Sequence, residues 1–239
     1  MRDTTGVVAP DAAVKREPTP IGALFEAAFR RYGSAVVGYT LWSIAVGVVP
    51  GVVAMVFRDS GNVLFAFVAA STFSHLFLCA ILTALVTGTT RTHLWPAAAV
   101  SLLGAVITGL VFYFAGPFAL ALYPVLVFGP IATASGDVSA VRALPFGVRV
   151  ALRDWGRAYG VLLGLGLIAV FLWFAFFLSF APLGGESHQI ATLVFTMLVF
   201  SPIAALVERN LYGDTTGRKV LPPTVSLDQR ERGKKRRRA

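Results

Sequence analysis

The sequence predicts an all-α, polytopic membrane protein with six transmembrane helices and two interfacial amphipathic helices. Hydrophobic residues make up 56% of the 239 residues and charged residues only 14%, whereas charge in soluble domains is about 25%. The apolar residues form long uncharged runs, and the cations lie almost entirely between those runs. We therefore interpret the net charge of +9 as a signature of orientation in a bilayer, and not of nucleic-acid binding.

Both chain ends are predicted to lie outside the membrane. Residues 1–18 contain charges of both signs and prolines but no apolar segment, which indicates a disordered cytoplasmic lead. Residues 213–239 end in Lys234-Lys235-Arg236-Arg237-Arg238 and predict a disordered basic cytoplasmic tail. Such a tail is attracted to an anionic leaflet; the alternative is a solvated tail that only fixes orientation. Residues 19–212 remain as the membrane domain.

A first amphipathic helix is predicted immediately before the first apolar run. Pro20 suits the first position of a helix, and Arg30 and Arg31 lie at its end. Its apolar residues share one face at helical spacing: Ile21, Leu24, Phe25, Ala28 and Tyr32. We expect this helix to lie on the membrane surface.

Six spans are predicted, at residues 35–57, 63–87, 97–115, 118–134, 159–181 and 190–207. Residues 97–134 contain no charge, and as one helix they would be about 57 Å long, which exceeds any bilayer. The run must fold back, and Gly116-Pro117 is the expected break. Pro124 and Pro130 each remove a backbone donor, so the fourth span should be kinked.

A second amphipathic helix is predicted in the polar connector 137–159. Its apolar residues are three or four apart and form one stripe, and its arginines lie on a flank of the same helix. The stripe comprises Val141, Leu144, Val148, Leu152, Trp155 and Tyr159, and the flank comprises Arg142, Arg149, Arg153 and Arg157. This layout is typical of a segment in a membrane surface with its cations toward lipid phosphates. The alternative, an amphipathic helix on a soluble core, needs polar neighbours that the sequence lacks.

The charge distribution favours six spans with both termini in the cytoplasm. In this arrangement only Arg58 among the basic residues lies outside. Treating 97–134 as one span would move both the connector and the tail outside, against the positive-inside bias.

The sequence suggests that a helix-span-span unit occurs twice, with the hairpin of spans three and four between the two copies. Arg30-Arg31-Tyr32-Gly33 and Arg157-Ala158-Tyr159-Gly160 each close a surface helix and open a span. Because both units would run in the same direction, a true repeat would be parallel, as in some transporters. Short matches of this kind also arise by chance in apolar sequence.

The six runs contain no Asp, Glu, Lys or Arg, and His75 is their only histidine. Ser71 lies four residues earlier on the same face, so the imidazole is interpreted as satisfied locally or by a neighbouring helix. The alternative is a proton or ligand role. A cavity lined by Ser71, His75, Tyr123 and Pro124 would then indicate a transport pathway.

Other features of the sequence argue against enzymatic chemistry. Cys79 is the single cysteine, so no disulfide and no thiolate metal site is predicted. Glu208-Arg209 is interpreted as an ion pair at the membrane edge. The chain lacks the motifs of serine hydrolases, zinc proteases and P-loop ATPases. We therefore predict no catalytic residue, metal or cofactor.

Three stretches resemble a bacterial membrane family. They are IGALFEAAFRRYG, PIATASGDVSAVRAL and PIAALVERNLYGD. The layout is similar to the six-span membrane domain attached to some glycerophosphodiester phosphodiesterases and to related uncharacterised inner-membrane proteins. This resemblance implies a bacterial plasma-membrane location and an architecture for residues 20–214, without a phosphodiesterase domain. Where the family commonly has a serine, this chain has Pro145-Phe146-Gly147.

Two functions from different classes follow from these observations. The first is a non-enzymatic multi-pass protein, an accessory or lipid-contacting scaffold whose surface arginines bind anionic head groups or an unknown protein partner. The second is a small permease or transporter component, with a path near the second and fourth spans.

Overall fold

The computed structural model describes residues 18–57, 59–89 and 91–217, and these residues form helices and turns without a β-strand. Eight α-helices follow one another along this part of the chain. They are α1 (Ile21–Ser34), α2 (Val36–Val56), α3 (Val63–Thr87), α4 (Leu94–Ala115), α5 (Tyr123–Ala134), α6 (Ala140–Arg153), α7 (Trp155–Phe180) and α8 (Gly185–Thr215). The predicted all-α class is confirmed. The predicted lead and almost all of the predicted tail lie outside the described residues.

Four of the described helices, α2, α3, α4 and α7, are long and apolar enough to cross a membrane. The predicted span 118–134 corresponds to a seven-residue 3-10 helix, Gly116–Leu122, followed by the twelve residues of α5. The predicted span 190–207 forms the centre of α8, which is 31 residues long and contains charged residues near both ends. Length and composition therefore identify four spanning helices here, and the count of six is not established by them.

The chain reverses direction where glycine permits a positive φ. Gly88 ends α3 with φ 68° and donates its N–H to the carbonyl of Ala84. Gly116 follows α4 with φ 58°, at the position where the sequence predicts the long run to break. Residues with a Cβ rarely adopt this conformation, so a glycine is the natural residue at each helix end.

Two similar breaks separate a short helix from a long apolar one. Ala35 lies between α1 and α2 with φ −148° and ψ 38°, and Asp154 lies between α6 and α7 with φ −142° and ψ 55°. Both α1 and α6 contain 14 residues. The two proposed sequence motifs nevertheless differ in position, because Arg30 precedes its break and Arg157 follows its break. The two pairs of helices therefore have similar breaks, but the sequence motif lies before the break in one pair and after it in the other.

The core is built around α3, which contacts α2, α4, α5 and α8. Leu76, Cys79 and Leu82 of α3 are fully buried, as is Ile131 of α5. In contrast, α7 keeps large apolar side chains on its outside, and Phe171 is 73% exposed. An apolar exterior of this kind is expected for a helix that contacts lipid.

Candidate functional site

Glu208 is the centre of a buried polar cluster. Its side chain is 3% exposed, and its carboxylate accepts hydrogen bonds from residues of two other helices. The Tyr123 hydroxyl donates to Oε1 at 2.9 Å, the His75 Nε2 lies 3.0 Å from Oε2, and the Cys79 Sγ lies 3.1 Å from the same oxygen. We refer to these four residues, His75, Cys79, Tyr123 and Glu208, as the Glu208 cluster.

The local sequence explains how these side chains converge. His75 and Cys79 are four residues apart on α3, so they project from one face about one helical turn apart. Tyr123 is the first residue of α5, and the buried Pro124 follows it in the first turn, where a proline costs no helical hydrogen bond. The rings of His75 and Tyr123 are in contact, with centroids 5.7 Å apart.

The cluster lies within the apolar core, to which Cys79 belongs and against which Tyr123 packs. Leu76 and Leu78 of α3 and Leu206 and Val207 of α8, all sequence neighbours of its members, are at most 2% exposed. A carboxylate removed from water is costly unless donors replace its hydration. Here a hydroxyl, a thiol and an imidazole supply those donors. The His75 ring donates from Nε2 either as the neutral tautomer with its proton there or as the cation, which would make an ion pair.

The sequence does not predict this role of Glu208. It predicts that the residue ends the last span and pairs with Arg209. The structure corrects this interpretation, because α8 continues to Thr215 and the Glu208 carboxylate faces α3 and α5. Arg209 instead lies next to Asn210, with its Nη1 3.5 Å from the Asn210 Oδ1. Two features of the sequence could have indicated this pairing. Glu208 directly follows an apolar run, and His75 is a polar residue within another run and needs a hydrogen-bond partner.

The four residues predicted to line a pathway are only partly brought together. His75 and Tyr123 belong to the Glu208 cluster and Pro124 adjoins it, but the Ser71 Oγ is buried and has no hydrogen-bond partner among the described residues. An open cleft of ≈ 440 Å³ lies elsewhere, between α3, α4 and the turn that follows α2. Its lining is largely aromatic, from Phe57, Asn62, Phe65, Ala66, Leu110, Tyr113 and Phe114.

Helix α6 presents three distinct faces. At 100° per residue, its small residues, its apolar stripe and its arginines are separated by roughly 120°. The buried face packs against α5, where Gly147 lies close to the carbonyl oxygen of Val125. Val141 and Leu152 of the stripe remain 90% and 63% exposed. Arg142, Arg149 and Arg153 are exposed on the third face and form what we call the arginine face.

Arg157 does not share the arginine face, because α6 ends at Arg153 and Arg157 belongs to α7. Its guanidinium donates to the Asp214 carboxylate and to the Thr19 carbonyl, and the Thr19 hydroxyl donates to the same carboxylate. Burial alone raises the pKa of Asp214, but the hydrogen bonds from Thr19 and Arg157 and the charge of Arg157 outweigh it, so the pKa is lowered. We refer to Thr19, Arg157 and Asp214 as the clasp.

The predicted arginines of α1 are in different surroundings. Arg30 is exposed and pairs with Glu26 one turn earlier on the same helix, whereas Arg31 is half-buried. Such an exposed pair contributes little to stability. Leu24 and Ala28 of the predicted apolar face are fully buried, and the Leu24 carbonyl accepts a hydrogen bond from Asn210 at 3.3 Å. Helix α1 is thereby attached to the end of α8.

No protein-family model, no curated protein and no solved structure matches this chain. The resemblance to the membrane domain of glycerophosphodiester phosphodiesterases stays a prediction.

Proposed function

We propose that this is a non-enzymatic, six-span protein of the bacterial plasma membrane, with both termini in the cytoplasm, whose arginine face binds anionic lipid head groups. The 3-10 helix 116–122 and α5 rise about 2.0 and 1.5 Å per residue, so together they are long enough for a hydrocarbon core of about 30 Å. Residues 190–207 of α8 form an uncharged stretch that is also long enough for a short span. The resemblance described above implies the same location and architecture.

The observation that supports lipid binding is the division of α6 into three faces. One face is occupied by α5, so the exposed Val141 and Leu152 and the exposed arginines are left for the surroundings. In a membrane surface, the apolar stripe would contact acyl chains and the arginine face would contact phosphates. A helix in water would gain nothing from exposing that stripe.

Neutralising the arginine face tests the proposal. Each cation near an anionic leaflet contributes about 1 kcal/mol, so the triple variant R142Q/R149Q/R153Q should bind anionic lipid roughly a hundred-fold more weakly. Native mass spectrometry of the full chain, taken from vesicles of phosphatidylglycerol and phosphatidylcholine, would measure the retained lipid. The expected result is selective loss of phosphatidylglycerol from the variant.

A matched control removes the same charge from the tail. The variant R236Q/R237Q/R238Q should lose clearly less phosphatidylglycerol than the α6 variant, because α6 also has an exposed apolar stripe that holds its arginines at the membrane surface. Equal retention in the α6 variant and the unmodified chain would refute lipid binding by the arginine face. Equal loss in both variants would attribute the binding to overall charge.

The second candidate function is a small permease or transporter component. The specific observation in its favour is the Glu208 cluster, because ionisable side chains inside membrane bundles commonly mark ion or substrate pathways. Proteoliposomes containing a pH-sensitive dye would report proton movement driven by an imposed gradient. We expect Glu208→Gln to abolish any flux that the unmodified protein supports, and flux unchanged by this substitution would exclude the cluster from the pathway.

A further inference from the structure

We propose that His75, Cys79 and Glu208 form a binding site for a divalent transition-metal ion of the Zn²⁺ or Co²⁺ type. The Nε2 or Nδ1 of His75, the Sγ of Cys79 and a carboxylate oxygen of Glu208 all lie within 4.8 Å of one another. These donor types are the ones that bind Zn²⁺ in proteins. The proposal does not depend on lipid binding by the arginine face.

The separations of the donor atoms fit a single ion. Zinc bonds of about 2.0 to 2.3 Å in a tetrahedral site place neighbouring ligand atoms about 3.3 to 3.8 Å apart. The Glu208 Oε2 is 3.0 Å from the His75 Nε2 and 3.1 Å from the Cys79 Sγ. An ion can therefore enter after the carboxylate oxygen moves a few tenths of an ångström away from the other two donors, whose own separation is at most 4.8 Å.

The charges of this ligand set also favour a divalent cation. A thiolate and a carboxylate carry two negative charges, a neutral imidazole adds none, and a divalent ion makes the whole site neutral. This neutrality matters because Cys79 is fully buried and the Glu208 side chain is 3% exposed, where net charge is costly. On binding, metal–sulfur, metal–nitrogen and metal–oxygen bonds form. The thiol proton leaves to solvent. The neutral imidazole, which donates to Glu208 from Nε2 before the ion binds, carries its proton on Nδ1 afterwards, so that Nε2 can bind the ion.

The donor types select the class of metal. Magnesium and calcium prefer sites made of oxygen ligands, whereas one sulfur and one imidazole nitrogen suit borderline-soft transition metals. Three protein ligands leave the fourth tetrahedral position open to water or to another molecule. Tyr123 donates to Oε1, the carboxylate oxygen that the other two residues do not contact. It is therefore a positioning residue that orients Glu208 toward the ion.

A single cysteine excludes only metal sites that are built from several thiolates. The predicted absence of a thiolate site therefore does not cover a mixed set of ligands. A mixed site needs one thiolate, and its remaining ligands come from elsewhere in the chain. Here the third ligand is Glu208 on α8, which is 129 residues from Cys79 and was not visible as a neighbour in the sequence.

Cobalt titration of the full chain tests the proposal directly. The protein would be purified in detergent with a tag free of histidine and cysteine, stripped with a chelator and titrated with Co²⁺. Because Cys79 is the only cysteine, a thiolate-to-cobalt charge-transfer band can arise only there. We expect this band to saturate at one equivalent. Its absence from the unmodified protein would overturn the proposal, and this result needs no variant to fold.

Substitutions then assign the remaining ligands. We expect His75→Gln and Glu208→Gln to weaken cobalt binding at least tenfold, and Tyr123→Phe to weaken it less while the band remains. Ser74→Ala is the matched control on α3, since Ser74 bonds the Val46 carbonyl outside the cluster. Binding by the three cluster variants equal to that of this control would overturn the assignment.

Zinc provides an independent readout. Ligands that bind only the folded state raise the unfolding temperature, so Zn²⁺ should raise it in the unmodified chain and leave Cys79→Ala unaffected. An equal rise in both proteins would show that zinc binds elsewhere and would contradict the site.

Discussion

At the scale of residues, Glu208 and Asp214 lie six positions apart on α8 and have very different surroundings. Glu208 is held by a phenol, a thiol and an imidazole in an apolar interior. Asp214 is held by a guanidinium and a hydroxyl at the end of the same helix. In both cases the carboxylate is stabilised by donors from parts of the chain remote in sequence, so each joins helices that local periodicity does not relate.

Removing the Glu208 carboxylate should destabilise the fold. The variant Glu208→Ala leaves the buried donors of His75, Cys79 and Tyr123 without their acceptor, at a cost of about 1–3 kcal/mol for an unsatisfied buried group. Thermal unfolding in detergent would measure the loss, with the chain stripped of metal. Glu26→Ala, the same change at an exposed carboxylate of α1, is the control and should have little effect. Equal unfolding temperatures for the two variants would contradict the prediction.

The clasp predicts a dependence of stability on acidic pH. The pKa of Asp214 is lowered in the folded protein from its ordinary value of 3.8, so the unfolded state binds a proton more readily. The stabilisation that the Asp214 carboxylate provides is fully present above pH 3.8 and is lost as the pH falls through the lowered pKa. The unfolding temperature of Asp214→Asn should therefore change less over this acidic range than that of the unmodified chain. The variant Asp59→Asn, at an exposed position, is the control, and its unfolding temperature should fall with pH as that of the unmodified chain does. The same fall for Asp214→Asn would count against the prediction.

At the scale of elements, the close packing of α5 and α6 rests on glycine. A Cβ at Gly147 would lie 2.8 Å from the carbonyl oxygen of Val125 and 3.0 Å from the amide nitrogen of Gly129, and backbone atoms cannot rotate away as a side chain does. Gly104 differs, because its closest neighbour is the flexible end of Leu76. Small residues thus let two helices approach in a manner common in membrane proteins.

The variant Gly147→Ala should separate α5 from α6. Forcing a methyl group into a filled contact costs about 1–3 kcal/mol, and a lower unfolding temperature would report it. Gly166→Ala is the matched control, since nothing lies within 4 Å of a Cβ at that position of α7. It should leave stability unchanged or raise it slightly, because alanine favours helix. A stable Gly147→Ala variant would show that the two helices separate without cost.

Helix α6 shows both the reach and the limit of sequence reasoning. Helical periodicity alone places Arg142, Arg149 and Arg153 on one face, and the structure leaves all three exposed. The same periodicity extended the helix through Arg157, whereas the backbone breaks at Asp154. The break directs Arg157 toward Asp214, a residue 57 positions later. Pairing over such a distance depends on tertiary packing and leaves no periodic signal.

At the scale of the whole molecule, composition predicts the all-helical class because long uncharged runs have few alternatives to the membrane helix. The start of α3 and the reversal near Gly116 can also be predicted from the sequence, because charged residues and glycine mark them. The Glu208 cluster cannot be predicted in this way, because the approach of α8 to α3 and α5 is fixed by packing. Ser71, the predicted neighbour of His75, is not its partner in the structure.

Cysteine labelling tests the proposed topology. In a Cys79→Ser background, Arg149→Cys and Lys235→Cys should react with an impermeant reagent only when the cytoplasmic side is opened. Asp59→Cys, in the turn between α2 and α3, should react from outside intact cells. Both follow from the asymmetric distribution of cations. Labelling of positions 149 and 235 from opposite sides would disprove an even number of crossings.

The clasp also constrains the order in which the helices can pack against one another. Thr19 lies two residues before the start of α1, yet its bonding partner Asp214 is 195 residues further along. At about 5–20 residues per second, the ribosome needs about 10–40 s to synthesise the intervening chain. During that time neither Asp214 nor Asn210 is present to bond Thr19 and the Leu24 carbonyl. Helix α1 therefore reaches its final packing only after the end of α8 has been synthesised.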